Sequence, residues 1–563
     1  MGFDFGYDMR MRLTILHTSD LHANLHPWNY FTGIPAEHGL AKLATLIKRV
    51  RAASEDPVLL IDSGDTIQGS PLGTYYAQVE RVSPHPLAHA LNALGYDAFT
   101  PGNHDFNFGL QVLQDFIGDL RCPVLCANIL RQNGDPLFQP YLIRELAGVR
   151  VGLLGLTTPR IDTWERPDYI AGLRFAPLLE TARHYLSLLR PQVDVLILIL
   201  HSGPNQLPPL RTPEHWHNPD RSGWCSNKSL AGENELLALA ELDGIDVILS
   251  GHTHQTIAGL GGSQALVVQP GYWGSHLSQV SLELERQGSR WQILGKSAQL
   301  LSAEGIPPDP ELLALTEPYH QATLRYIRQP IGQARSAYSG GLAARLGANP
   351  LAELLHQAQL QAVREAGFPA ELSLVNICSS AGLSAGPISL QDAYSLTVYD
   401  NTLCVLEITG DILRRALEQT AGYFRQLDPN HLPADPAAVV APEARGYTFD
   451  LYHGIDYCFD LTRPVGKRLV TLQFRGQPVE PAQTFRLAIN HYRAGGGGGY
   501  SMFQEAQTLW ISADSIRDFL VYYIHTHSPI QPIYSPNWRL IPDLAKIYFP
   551  DCLGRPREHL LVG

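Results

Sequence analysis

Cysteine is scarce. The 563-residue chain has seven, at 122, 126, 225, 378, 404, 458 and 552. An odd, scattered set without paired CxxC spacing excludes a disulfide framework and a thiolate zinc clip. Cys122 and Cys126 stand close in sequence, but two buried thiols are expected there rather than a bridge. Charge is also sparse: 17% of residues, against roughly 25% in an average soluble chain. With 45% hydrophobic residues, that composition excludes extended disorder. Positive charge is in deficit, 42 Lys and Arg against 54 Asp and Glu, for a net −12. A duplex nucleic-acid binder needs a basic footprint, so that class is excluded; a small anion held by local cations is not. No stretch approaches the ~20 apolar residues of a membrane span. The start, MGFDFGYDMRMRLTILHTSD, lacks a basic opening followed by ~7–15 apolar residues, and Asp4 and Asp8 interrupt any such run. As written, a cytoplasmic protein is expected; with a leader missing, the expectation becomes periplasmic or extracellular. No motif speaks to oligomeric state.

What is present is organised. At ~100–200 residues per domain, the length implies at least two. Residues 13–16, 58–61, 151–156, 193–200, 245–249 and 265–268 are short Leu-rich or β-branched runs, mostly bounded by turn residues. They read as buried strands. Helical patterns at 39–52 and 177–189 lie between them, which makes the first half a layered α/β domain. Residues 308–329 form one long, partly polar helical pattern, expected to be kinked or interrupted by Pro318. A second α/β unit follows, with helices at 350–366 and 410–424, strands at 372–377 and 402–408, and a β-rich stretch at 447–489. Residues 207–228 and 425–445 read as loops. The domains expected are 10–305 and 331–545, joined by a linker helix within 306–330.

The chemistry gathers after the strands. The first is followed by HTSDLHANL, with Asp20 and His22, and the second by DSGDTIQGS, with Asp65. Asn103 and His104 stand in PGNHDFN. His201 ends the run at 193–200, and SGHTHQ, with His252 and His254, follows 245–249. Loops at the carboxyl ends of parallel strands meet at one edge of the sheet, where ligands bind. Residues far apart in sequence therefore converge. Two carboxylates, one amide and four imidazoles, without thiolate, suit Mn, Zn, Fe, Co or Mg. Seven donors are too many for one tetrahedral ion; with one bridging carboxylate they fit two divalent ions ~3.5–4 Å apart. Asp65 is the natural bridge, since Asp62 lies nearer its strand. Any one element alone is commonplace in loops; five in this order are not.

The pattern DxH…GDxxQGSP…GNHD…H…GHxH resembles the calcineurin-like metallophosphoesterases. Over nearly the whole chain it is similar to the two-domain 5′-nucleotidase family. The resemblance implies a four-layer α/β sandwich followed by a smaller α/β domain that carries the nucleoside pocket. It implies one metal on Asp20, His22, Asp65 and His254, and a second on Asp65, Asn103, His201 and His252. It gives His104 the catalytic place, stabilising the transition state or protonating the leaving oxygen, with Asn103 and the metals offsetting phosphoryl charge. GSPLGTYYA, YDNTLCVLEITGDIL, YTFDLYHGIDYCFDLTRP, INHYRAGGGGG and NWRLIP look like the 2′,3′-cyclic-nucleotide 2′-phosphodiesterase/3′-nucleotidase branch. So do the departures from 5′-nucleotidases. Asn107 stands where an Asp usually orients the catalytic His. NICSSAGLSAG, from Asn376, replaces a GGGxR loop, and Gly498 replaces the Asp of GGDGY. The resemblance places Tyr399 and Tyr492 on either side of the base and Asn401 within hydrogen-bonding reach of base or ribose. Gly495–Gly499 would let backbone approach the ligand. The expected partner is a nucleotide, cleaved after the two domains close on each other. A 5′-nucleotidase or nucleotide-sugar hydrolase is the alternative, and a non-catalytic nucleotide-binding protein a third.

Overall fold

The structure is a computed structural model that describes residues 10–204, 232–260, 264–399, 401–442, 444 and 446–549. The loop expected at 207–228 lies outside the described residues. Two compact units divide between Tyr326 and Ile327.

The first unit contains, in order, β1 (Arg10–Thr18), α1 (Leu40–Ala53), β2 (Val58–Asp62), β3 (Ala98–Phe99), β4 (Tyr141–Leu146), β5 (Val149–Thr157), α2 (Leu178–Leu189), β6 (Val195–His201), α3 (Leu236–Ala240), β7 (Val247–Ser250), β8 (Thr256–Ala258), β9 (Leu266–Pro270), β10 (His276–Gln287), β11 (Arg290–Ser302) and α4 (Pro310–Ile327). One sheet runs β11-β10-β1-β2-β3 and the other β8-β9-β7-β6-β5-β4. β1, β2 and β3 are parallel, as are β5, β6, β7 and β9. Side chains alternate across each strand. Leu13 and Ile15 of β1 pack with Leu59 and Ile61 of β2 against Val195, Ile197 and Ile199 of β6, all buried between the sheets. The intervening Leu196, Leu198 and Leu200 turn outward onto Leu178, Ala182, Leu186 and Leu189 of α2. A strand covered on both faces needs an apolar residue at every position, which is why β6 reads as an unbroken run. Each such side chain contributes about 1.5–3 kcal/mol on burial. Cys122 and Cys126 remain thiols, as expected.

The long helix expected here forms and runs through Pro318, so of the two expected outcomes, a kink or an interruption, the interruption does not occur. Side-chain anchors hold the helix to the first unit. Lys48 binds Asp309 and Glu311, and the Thr316 hydroxyl meets His26 Nε2 at 2.8 Å. Those contacts offset the hydrogen bond that a proline withholds.

The second unit contains α5 (Pro350–Glu365), β12 (Leu372–Asn376), β13 (Thr402–Thr409), α6 (Gly410–Ala421), β14 (Asp450–His453), β15 (Asp456–Asp460), β16 (Leu469–Phe474), β17 (Thr484–Asn490), β18 (Gln507–Ser515), α7 (Ile516–His527) and β19 (Trp538–Ile541). Its main sheet runs β14-β12-β17-β13-β18, with β15 pairing β16 and β19 in a smaller one. α5 and α7 pack on each other.

Candidate dimetal site

The carboxyl ends of β1, β2, β3, β6 and β7 deliver the residues singled out by sequence. Asp20, His22 and His254 present one donor atom each within 4.8 Å of one another, as do Asp65, His201 and His252. The two groups meet at Asp65. Its Oδ2 lies 3.1 Å from His201 Nε2 and 4.0 Å from His22 Nε2. Its Oδ1 accepts the backbone N–H of His104 at 2.7 Å.

The rings are aimed by their far nitrogens. His22 Nδ1 donates to the Gln68 carbonyl at 2.8 Å and His201 Nδ1 to the Ser63 carbonyl at 2.7 Å, so both Nε2 atoms face the cluster. His252 Nε2 meets Glu233 Oε1 at 3.2 Å, leaving Nδ1 as its donor atom. Such outer contacts fix tautomer and ring orientation. His22 and His254 bring their Nε2 atoms within 3.1 Å of each other, beside Asp20 Oδ1 at 3.3 Å from His254. Two imidazoles and a carboxylate pointed at one spot make a cation-binding arrangement.

Three further observations fit metal ions. Among the described residues, Asp65 Oδ2, Asn103 Oδ1 and His201 Nε2 are buried without a hydrogen-bond partner. Asp65 Oδ2 and His201 Nε2 are an ion-pair distance apart yet lack hydrogen-bond geometry, as two ligands of a common ion would. Buried polar atoms are ordinarily satisfied, so two orphans 3.1 Å apart, Asp65 Oδ2 and His201 Nε2, call for a ligand between them. Second, Asp20, His22, Asp65, His252 and His254 all have left-handed backbone, φ between 47° and 75°. Non-glycine residues adopt it at a cost of about 1–3 kcal/mol each, and such strain clusters at functional sites. Third, the charges are mutually dependent. Burial alone would raise Asp65, but His201, His104 and His22 hold it well below the usual carboxylate range. Burial would lower His201, but Asp65 and Asp20 raise it to about 9. Burial, then His254, pushes His22 down to about 3.

The scaffold is tight. Asp105, fully buried, accepts backbone N–H groups from Asp65, Thr66, Ile67 and Gly102 at 2.8–3.1 Å, clasping two loops together. Asp62 ties its own loop to β1, accepting from Thr18 and Thr66 hydroxyls and the Gly64 N–H. Gly102 is required by space: a Cβ there would lie 2.2 Å from Asp65 Oδ1.

His104 stands beside the cluster, its ring centroid 5.4 Å from that of His22. Its Nδ1 donates to Asn107 Oδ1 at 2.7 Å, so Asn107 occupies the orienting position. Sequence reasoning missed Glu165, Trp164, Glu233 and Asp105. Trp164 stacks on His252 with centroids 5.6 Å apart. None of the four carries a spacing signal, although Asp105 sits within the GNHD element.

In the second unit, Tyr399 and Asn401 line one small cavity with Gln359, Asn376 and Asn490. Tyr492 is not among the residues lining it. Its hydroxyl accepts the Gly498 N–H at 3.1 Å and its ring lies against Gly497. Beneath the glycine loop, buried Arg493 pairs with Asp450 and binds the Gly497 carbonyl. Gly498 has φ +68°, and a Cβ there would strike Arg493 at 2.3 Å.

The calcineurin-like phosphoesterase model matches residues 13–256, and the 5′-nucleotidase C-terminal domain model matches 330–505. A Salmonella typhimurium 2′,3′-cyclic-nucleotide 2′-phosphodiesterase/3′-nucleotidase is 30% identical, over 94% of this chain and 89% of its own. The chain belongs to the two-domain 5′-nucleotidase family. The trifunctional nucleotide phosphoesterase YfkN of Bacillus subtilis is 28% identical over 95% of this chain, which spans 39% of that longer protein. A Staphylococcus aureus crystal structure assigned as a 5′-nucleotidase covers 94% of this chain and 100% of its own, at 25% identity and a TM-score of 0.80. Calcineurin-like phosphoesterases use a dinuclear metal centre, and the two donor groups meet that requirement. Among the described residues, no helix is long and apolar enough to cross a membrane.

Proposed function

We propose that this chain is a dimetal phosphohydrolase of nucleotides, opening 2′,3′-cyclic nucleotides at the 2′ oxygen and then removing the 3′ phosphate. The observation that carries this reading is the meeting of two donor groups, all buried but for half-buried His252, at Asp65 Oδ2, with His104 alongside. The family branch supports the substrate class. Asp20, His22, Asp65 and His254 would hold one divalent cation, and Asp65, Asn103, His201 and His252 the other. Bound there, the cations supply Lewis acidity and lower the pKa of a water molecule.

The chain's own residues do the rest. The carbonyls of Gln68 and Ser63 keep His22 and His201 in the tautomer whose Nε2 lone pair faces inward. With its Nδ1 proton held by Asn107, His104 would act on the substrate through Nε2. In the imidazolium form that Nε2–H is donated to the leaving oxygen as the P–O bond breaks in line with attacking water. For a cyclic substrate the leaving oxygen is the ribose 2′ oxygen, and the product is a 3′-nucleotide. A second turnover releases phosphate and nucleoside. Tyr399, Tyr492 and Asn401 are proposed to grip the nucleoside, base stacking contributing about 1–3 kcal/mol with little base preference.

Replacing Asp65 tests the reading. Asp65→Ala is expected to lower metal stoichiometry and to reduce turnover at least about 10³-fold, as loss of an essential charge-stabilising group does. Wild-type stoichiometry and turnover in that variant would refute the bridging role.

A further inference from the structure

The orienting residue of His104 is an amide, and an amide has two unlike ends. Asn107 Oδ1 lies 2.7 Å from His104 Nδ1. Since a carbonyl oxygen only accepts, Nδ1 must carry the proton and Nε2 is left for the substrate. If the amide were turned over, its NH₂ would face Nδ1 and could not accept Nδ1–H, so the imidazolium that donates Nε2–H to the leaving oxygen would be disfavoured. A carboxylate has no such ambiguity, because both its oxygens accept. Something must therefore choose which end of Asn107 faces His104.

The other end of the amide answers this. Asn107 Nδ2 donates to Glu165 Oε1. An acceptor at that point admits the NH₂ and rejects the carbonyl. Glu165 caps the short helix Ile161–Trp164, its N–H bonded to the Ile161 carbonyl at 2.9 Å. The preceding residue, Trp164, is the one stacked on His252. The segment that follows β5 thus touches both the candidate metal donors and the His104 relay.

We propose that Glu165 is a positioning residue: through the Asn107 amide it fixes His104 as an Nδ1–H donor, so that Nε2 is the proton-transferring atom. This rests on the reading of His104 as the acid that protonates the leaving oxygen. Burial pushes the Glu165 carboxyl up to about 8, against the pull of the Asn107 N–H. The role survives either protonation state, because a neutral carboxyl keeps a carbonyl oxygen that accepts. No new covalent step is involved: the proton passes from His104 Nε2 to the leaving oxygen, and Nδ1–H stays bonded to Asn107.

Four variants of the full chain test it: Glu165→Ala, Glu165→Gln, Asn107→Asp and the Glu165→Ala/Asn107→Asp double variant. Turnover of a 3′-nucleotide and metal content are measured for each. Glu165→Ala is expected to lower kcat about 10–100-fold, the usual cost of losing an orienting partner, with KM and metal content unchanged. Glu165→Gln, which can still offer a carbonyl oxygen, should recover most of kcat. It also serves as the readout if the alanine variant does not fold. In the Asn107→Asp background the amide choice no longer exists, so removing Glu165 should cost nothing or raise kcat. Unchanged kcat in Glu165→Ala would overturn the proposal. So would the same loss in both backgrounds, or a Glu165→Gln variant as slow as Glu165→Ala. His104→Ala separates the two levels. If it retains wild-type kcat, the acid role fails. If it is slow while Glu165→Ala is not, the assignment of Glu165 alone fails.

Discussion

Among the candidate donors, His201 is the one whose proton a cation would have to displace. Burial would empty it, but Asp65 and Asp20 hold it at about 9 in the metal-free fold, above the ordinary 6.5. A raised histidine stabilises the metal-free fold fully below pH 6.5, and that contribution is lost as pH rises through about 9. His22, pushed down to about 3, is already neutral at pH 7.5. Titrating Mn²⁺ into metal-free protein at pH 7.5 should therefore release about one proton, with affinity rising toward pH 9. Calorimetry in buffers of different ionisation enthalpy reads this directly; no proton release would contradict a protonated His201 in the metal-free site. The six Asp and His candidate donors that the structure brings into two groups stood out in sequence because Asp and His at fixed spacing after apolar runs are chemically conspicuous. Glu165 and Glu233 did not. Each acts through one contact with a residue distant in sequence, and a lone Glu in a loop carries no pattern.

At the scale of the element, the site is a property of loops held by strand ends. Parallel strands β1, β2 and β3 from one sheet and β6 and β7 from the other bring their carboxyl ends together, and Asp105 locks the loops after β2 and β3 to each other. Asp105→Ala would strand four buried N–H groups. At about 1–3 kcal/mol for each unsatisfied group, partly recovered by water, a loss of at least about 3 kcal/mol is expected. Chemical denaturation should show it, together with reduced turnover; a loss below about 0.5 kcal/mol, the level of an ordinary surface substitution, would contradict the clasp. The strands themselves were readable as unbroken apolar runs, because each is covered on both faces. α4 was legible as one long helical pattern, but its passage through Pro318 without interruption was not. A proline in a helical pattern signals a break unless tertiary contacts compensate, and Lys48 and His26, about 260–290 residues away in sequence, supply those contacts.

Across the whole molecule, two units with separate cores imply two unfolding events, and all seven candidate donors lie in the first. Adding metal at about 100 times its dissociation constant contributes about 2.7 kcal/mol. Scanning calorimetry should show one transition rising by about 5 °C and the other unmoved; equal shifts in both would contradict a metal site confined to the first unit. The net charge of −12 is no obstacle to an anionic substrate, since bound cations supply the positive charge that the surface lacks. The central claim is most directly tested by product analysis on metal-loaded and chelator-stripped protein given 2′,3′-cyclic AMP, 3′-AMP and 5′-AMP. The account predicts that 2′,3′-cyclic AMP passes through 3′-AMP to adenosine, that 5′-AMP is turned over more slowly, and that chelation abolishes all of it. Preference for 5′-AMP without cyclic hydrolysis, or turnover that survives complete metal removal, would contradict it.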